Sequence, residues 1–298
     1  MNTKDLAYFH QLISQKNFSQ VADHFGVTQP TITLAVQRLE REFNARLVHR
    51  DRVHSQLIVT DAGQQLDVHA SAVLRSLHVA HQEIDRLTQQ QTVLGLPPII
   101  ENHYFPRVAA RLQAAGMLEN IRTIEGGSKW LRTALHDGQA DIGLLGSTAP
   151  LSYNSLVAEE FDRQPFSIFV AKNHPLARRK RITFSELRHE RFVLFTRSFI
   201  HDSAFNQLSH RNHFRPNVVF RSADTHLIMN LVAENVGITF LTALVDPHRD
   251  DVVRLDLLDD EQPAFISSIV YRNNHVMTAA QKRVLEILHA TLGPTGSR

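Results

Sequence analysis

The chain has 298 residues, 43% of them hydrophobic, enough for a full core and, by length, about two domains. A formal net charge of +2 confines any nucleic-acid surface to a local patch. With no cysteine, disulfides and thiolate metal sites are excluded; no apolar run reaches membrane-spanning length, and the polar amphipathic start does not read as a secretion signal, so cytoplasm is the expected compartment.

In chain order, Leu6, Phe9 and Ile13 predict an amphipathic helix. Val21, Ala22 and Phe25 give a second, short helix one apolar side, and Gly26 supplies the positive φ that ends it. Thr28 reads as the N-cap of a third helix, with Pro30 in its first turn, where a missing N–H costs little. Ile32, Val36 and Leu39 bury that helix, leaving Gln29, Pro30, Thr31, Thr33, Leu34, Gln37 and Arg38 toward the outside. Two helices around a glycine turn form a helix-turn-helix, whose second helix enters the major groove with its N-terminal residues on base edges. Residues 46–52 and 57–60 predict a two-stranded wing, with Arg46, Arg50 and Arg52 placed for phosphates or the minor groove. The first 60 residues are expected to be this DNA-binding domain.

Residues 61–91 read as a linker helix. Leu66, Ala70, Val73, Leu77, Ala80, Ile84 and Leu87 alternate steps of four and three, a narrow heptad seam that predicts pairing with a second copy. Thr88 to Thr92, rich in Gln, reads as a hinge. From there the pattern alternates: strands at 93–96, 121–124, 142–145, 166–170, 192–195, 218–220, 238–241 and 265–271, and helices at 104–115, 129–136, 202–211, 224–235 and 278–292. Such alternation predicts α/β units around mostly parallel sheets over 92–298.

Residues 4–63 resemble the N-terminal domain of LysR-type transcriptional regulators. The carriers are Ala22, Val27-Thr28-Gln29-Pro30, Leu39-Glu40, Leu47-Val48-His49-Arg50 and Thr60-Asp61-Ala62-Gly63. Val48 replaces a more usual Phe, and Leu34 stands where Arg or Lys is frequent, which removes a base or phosphate contact. The later half is similar to the effector domain of the same family at Gly138 through Gly143, at His174 through Ala177 and at Leu231 through Ile238; the Pro expected after Leu241 is Thr242. The resemblance implies two α/β lobes like those of a periplasmic binding protein, about 92–162 with 266–298 and about 163–265. It also implies a double-stranded DNA operator, a small-molecule effector, self-association as dimer or tetramer, and RNA polymerase as a partner, with no membrane, cofactor or metal.

Ligands in such folds bind beyond the carboxyl ends of strands and against helix N-termini. Four turns fit: Pro98, Ile99, Asn102 and His103 after the first strand; Gly126-Gly127-Ser128 after the second; Thr196 and Arg197 after a later one, where Arg197 offers a carboxylate partner; and the turn holding Thr225. Residues 2–9, 16–21 and 95–100 resemble, within the family, regulators of malolactic fermentation in lactic acid bacteria, implying L-malate as effector. Related regulators of overflow metabolism respond to acetate and usually carry Gly where Glu101 stands; that effector or a neutral metabolite is the alternative. Of 18 scattered histidines, His103, His201 and His226 lie near the expected cleft, where a charge change between about pH 5 and 8 would sense acid. A small-molecule enzyme is the rival class, but no G-x-S-x-G frames Ser128, and neither a Gly-rich phosphate loop nor a metal-ligand cluster occurs.

Overall fold

Polar caps and apolar stripes set the first elements. The computed structural model describes residues 2–50, 57–89, 91–245 and 249–293. Helix α1 (Thr3–Gln15) is capped by Asn2, whose side chain accepts the Asp5 N–H at 2.8 Å. Asn17 caps α2 (Phe18–Phe25) in the same way, accepting from Ser19 and Gln20. Gly26 then adopts φ +63°, a conformation with little steric cost only for glycine, and turns the chain. α3 (Gln29–Glu42) starts after Thr28 with Pro30 in its first turn; the Thr28 hydroxyl lies 2.9 Å from that of Thr31 instead of capping a backbone N–H. β1 (Val48–Arg50) pairs antiparallel with β2 (Leu57–Val59), forming the wing. Residues 51–56, Arg52 among them, lie outside the described residues.

Leu6, Phe9, Leu12, Val21, Ile32, Val36, Leu39 and Leu47 form the core of this first unit, Met1–Ile84. A buried carboxylate sits among them. Asp5, 1% exposed, accepts two hydrogen bonds from the Arg38 guanidinium, at 3.0 and 2.5 Å, so α1 and α3 are clamped by a bidentate ion pair.

α4 (Asp61–Gln89) is one continuous helix of 29 residues. Its predicted seam divides. Leu66 and Ala70 are buried in the first unit's own core, whereas Val73, Leu77, Ala80, Ile84 and Leu87 remain exposed. The division between units falls at Ile84/Asp85, within this helix. In the second unit Arg86, on its last turns, meets Asp141, which is fully buried: Nη1 donates to Oδ1 at 2.7 Å.

In the second unit β3 (Thr92–Leu96), α5 (Pro98–Ala114), β4 (Ile121–Glu125), α6 (Ser128–His136) and β5 (Ile142–Ser147) follow as α/β units, with β3 parallel to both β4 and β5. β6 (Leu156–Ala171) is long. It is followed by β7 (Arg181–Ile182), β8 (Arg191–Phe195), α7 (Ile200–Arg211), β9 (Asn217–Ser222), α8 (Thr225–Ala233), β10 (Thr239–Thr242), β11 (Val252–Leu257), β12 (Ala264–Arg272) and α9 (Ala279–Leu292). The main sheet runs β4-β3-β5-β12-β6-β11-β7, with β10 also on β6, and β8 and β9 form a parallel pair of their own.

The expectation of mostly parallel sheets is corrected to a mixed arrangement. β12 runs antiparallel to β5 and β6, and β6 antiparallel to β10 and β11. The reason is the pair of long strands: β6 pairs with β12 up to Pro165, then with β10 and β11 from Phe166 onward. Pro165 has no N–H to donate and stands where the partners change, a position that strands tolerate. The larger core, rich in Phe166, Phe169, Phe184, Phe192, Phe205 and Phe240, is joined in this unit by a smaller one that includes Val93, Leu131, Leu135, Leu145 and Val270.

Breaking a buried ion pair from one side strands the other charge, at a cost of about 3–5 kcal/mol. Among the described residues Arg86→Ala leaves the Asp141 carboxylate with only the Val93 N–H, 2.8 Å away, and should lower unfolding stability by that order in urea titrations followed by circular dichroism. Arg283→Ala, which breaks the exposed pair with Glu286, should leave the midpoint nearly unchanged.

Candidate nucleic-acid interface and effector cavity

The outward face of α3 is built by elimination: Ile32, Ala35, Val36 and Leu39 are drawn into the core, so the remaining positions face solvent. Gln29, Pro30, Leu34 and Gln37 are exposed, and Thr31 and Thr33 partly so. Their polar groups are pre-arranged. The Thr33 hydroxyl donates to the Gln29 carbonyl at 3.2 Å, and Gln29 Nε2 donates back to that hydroxyl at 3.3 Å. Half-exposed Leu34 offers an apolar side chain of the kind that meets a thymine methyl. Arg38 has a role the sequence did not disclose: its guanidinium holds Asp5, and that bond raises its pKa further. Arg50 closes β1 opposite Leu57.

In the second unit the carboxyl ends of β3, β4 and β5 lie side by side, and two of the predicted turns meet there. A Cβ added at Gly127 would stand 3.0 Å from the Ser198 carbonyl oxygen, so the turn before α6 packs directly on the Thr196–Phe199 loop only because residue 127 lacks a side chain. The Thr196 and Ser198 hydroxyls are 3.1 Å apart, and Thr196 N–H donates to the Ser222 carbonyl at 3.0 Å, bringing the turn that leads to Thr225 alongside. Ser128, 9% exposed, accepts the Gly146 N–H at 2.9 Å, which leaves its own proton free to donate.

Around Ser128 opens a cavity of about 350 Å³, bounded by the first turns of α6, the end of β5 with the loop after it, and the start of α7. Small-ligand sites begin at about this size. Ser128, Lys129, Arg132, Ser147, Tyr153 and Ser203 are among the residues lining it. Of these the sequence reading named only Ser128. Lys129 and Arg132 follow at positions i+1 and i+4 of the same helix, a local signal that would have found them; Tyr153 and Ser203 arrive through the tertiary fold.

Other predicted residues stand elsewhere. Pro98 and Ile99 are buried, Ile99 in the main core, where α5 packs its first turn. Asn102 and His103 are exposed on α5, His103 edge-on to Tyr104. Arg197 is exposed, and the Thr225 hydroxyl is buried without a hydrogen-bond partner. Glu101 is half-buried, and burial first, then neighbouring Glu125, pushes its carboxyl up, toward the neutral form. Tyr104, packed on Phe161, donates to Asp162, anchoring α5 on β6.

His201, in the first turn of α7, is 4% exposed, with ring centroids of Phe195, Phe265 and Phe166 at 4.8, 5.4 and 5.5 Å. Neither ring nitrogen has a hydrogen-bond partner. Burial lowers its pKa to about 3. The expectation that His201 senses mild acid is therefore corrected, because this imidazole stays neutral through the range where an exposed one titrates.

A family model described as the bacterial regulatory helix-turn-helix protein, lysR family, matches residues 3–64, and one described as the LysR substrate binding domain matches residues 85–293. Over 289 residues the chain is 30% identical to the malolactic fermentation system transcriptional activator of Lactococcus lactis subsp. lactis (strain IL1403), covering 97% of this chain and 98% of that protein. Among solved structures it is similar to full-length CbnR complexed with its target DNA, with a TM-score of 0.57 at 16% identity over 98% of this chain and 100% of that one. It is also similar to the effector binding domain of QuiR in complex with shikimate, with a TM-score of 0.58 at 16% identity over 66% of this chain and 94% of that one. At such identities the two structures establish the fold.

His201 sets a pH dependence. The unfolded imidazole binds a proton below its ordinary pKa of 6.5, and the folded one only near 3. This group contributes nothing above the unfolded value and removes about 1.4 kcal/mol of stability per pH unit below it, until the folded pKa is reached. His201→Leu should therefore lose less stability than the parent between about pH 7 and about pH 5, read as the shift in urea midpoint.

Proposed function

The chain belongs to the LysR family of bacterial transcriptional regulators, and from that premise we propose that it reads an operator through α3 and responds to a small carboxylate, L-malate above others, in controlling malolactic fermentation genes. The observation that carries the DNA reading is the face of α3: Ile32, Ala35, Val36 and Leu39 are spent on the core, and Gln29, Pro30, Thr31, Thr33, Leu34 and Gln37 are left outward from the helix start, where groove-reading helices contact bases. Arg50 and Arg52 supply the wing's cations, for phosphates or the minor groove. Full-length similarity to the Lactococcus activator supports malate. Shikimate, the ligand named for the QuiR domain, is itself a carboxylate. Acetate is the alternative effector: the acetate-responsive relatives usually have Gly where Glu101 stands, and an acidic side chain there is awkward for any anionic effector unless it points away or pairs with a base. In this reading the chain works in the cytoplasm and is not an enzyme.

The working parts are residues 1–60 for DNA, 61–91 for the linker and 92–298 for the effector, the last in two lobes of about 92–162 with 266–298 and about 163–265. The exposed stretch of the α4 seam, Val73 to Leu87, packs against a second copy, since apolar side chains at heptad spacing on one helix are buried by another. Two such dimers make the tetramer. Pairing doubles the operator and sets half-site spacing. Effector binds one closure state of the lobes better, and α4 carries that bias to the DNA heads, changing contacts with the operator and with RNA polymerase.

Selection of bound fragments from the source genome by the purified protein, with and without L-malate, tests this reading. The expected result is an interrupted palindrome upstream of a malate-utilisation gene, with malate changing its retention. Thr33→Ala should lower preference for that palindrome about tenfold over other DNA. Arg52→Ala should weaken binding to all sequences and reduce the salt slope by about one. Arg38→Ala should act differently from both, lowering the thermal midpoint of the helix-turn-helix because Asp5 loses its partner. Equal retention of random and selected fragments by the parent protein would sink the DNA reading.

A further inference from the structure

The cavity at Ser128 carries more charge information than a single-carboxylate effector requires. Two of its lining residues, Lys129 and Arg132, are cations, and no Asp or Glu lines it among the described residues. Arg132 is fixed in place: its Nη1 donates to the Tyr153 hydroxyl at 2.9 Å, and its guanidinium carbon lies 5.1 Å from the centre of that ring. No carboxylate among the described residues pairs with Lys129 or Arg132. Ser128 supplies a buried hydroxyl whose proton is unspent, because its oxygen already accepts from Gly146. Ser128 and Arg132 are one helical turn apart, about 5–6 Å between Cβ atoms, a separation that a short diacid can span.

We infer that the effector is a small dicarboxylate held at two points, one carboxylate by the Ser128 hydroxyl and the first turn of α6, the other by Arg132 and Lys129. Lys129 and Arg132 are both exposed, so a monoanion at this open cavity pairs with only one of the two cations, and a neutral ligand with neither. A dianion satisfies both. The Ser203 hydroxyl, on α7, stands on the cavity wall as a donor or acceptor for a further oxygen of the ligand, whereas Ser147 already donates to the Ala149 carbonyl at 2.7 Å and is left only to accept. A ligand held by α6 and reached by Ser203 joins the two sides of the cavity, which is the differential contact that a closure equilibrium needs. This inference rests on the reading of the cavity as the effector seat and narrows it to a ligand class and two anchoring cations.

Isothermal titration calorimetry on the full-length protein, with L-malate, succinate, L-lactate and inorganic phosphate as probes, separates the possibilities. The expected result is that both diacids bind at least about tenfold more tightly than L-lactate, as a second charge-assisted anchor implies. Arg132→Gln and Lys129→Gln, checked for folding by circular dichroism, should each cut diacid affinity and narrow its margin over L-lactate. Arg132→Lys should recover part of the loss. L-lactate binding as tightly as L-malate would overturn the dianion inference, as would phosphate binding more tightly than either diacid. Unchanged L-malate affinity in both Gln variants would overturn this seat while leaving a carboxylate effector standing. Failure of every carboxylate to bind a parent protein that still selects its operator would remove the effector reading and this inference with it.

Discussion

In the proposed mechanism the response to a ligand reaches the DNA heads through α4, and one buried carboxylate holds the end of that helix. Asp141 accepts the Arg86 guanidinium on one oxygen and the Val93 N–H on the other, while its own N–H donates to the Val93 carbonyl at 2.9 Å. The helix's last turns, the start of β3 and the residue entering β5 are thereby tied at one point. A buried acid with a single donor would be costly, so the three segments form together or not at all. β5 runs from this knot to the cavity, which Leu145, Gly146 and Ser147 at its far end line. In the proposed mechanism a change at the cavity has a short, rigid route back to the helix that leads toward the DNA-reading unit.

A second constraint is the lack of spare volume where the turns meet. Gly127 lies against the Ser198 carbonyl, and the Phe166–Phe265–Phe195 cage encloses an imidazole with no partner for either nitrogen. Packed interiors do not deform continuously; they switch between arrangements. His201 is thus a costly, neutral wedge beside the cavity rather than a sensor of mild acid. In the proposed seat the charge that meets a ligand resides on Lys129 and Arg132, neither of which is paired with a carboxylate among the described residues, and Arg132 donates to the Tyr153 hydroxyl.

The helix-turn-helix was legible because its signals are local: Gly26, Thr28 and Pro30 punctuate, and Ile32, Val36 and Leu39 repeat within a few turns. What stayed hidden there was the role of Arg38, whose spacing placed it with the outward residues, while its partner Asp5 lies in another helix. In the second unit the buried strands announced themselves as apolar runs. β11 and the first half of β6 did not, because Arg254, Asp256, Glu160 and Arg163 interleave with the few buried positions and mask the alternation. Ser128 was legible from its glycine turn after a strand. Pro98 and Ile99 occupy an equivalent turn, but their apolar side chains are drawn into the core. Arg132 and Tyr153 become neighbours only when the loop after β5 folds back on α6, and no spacing rule records that.

The central claim is that a small diacid in this cavity alters how the protein holds its operator. Footprinting on the selected palindrome, with L-malate titrated in, tests it most directly. The account predicts that protected positions or their extent change as malate saturates the cavity, and that this change is lost in Arg132→Gln. A footprint identical at all malate concentrations, in a protein that calorimetry shows to be saturated, would contradict it.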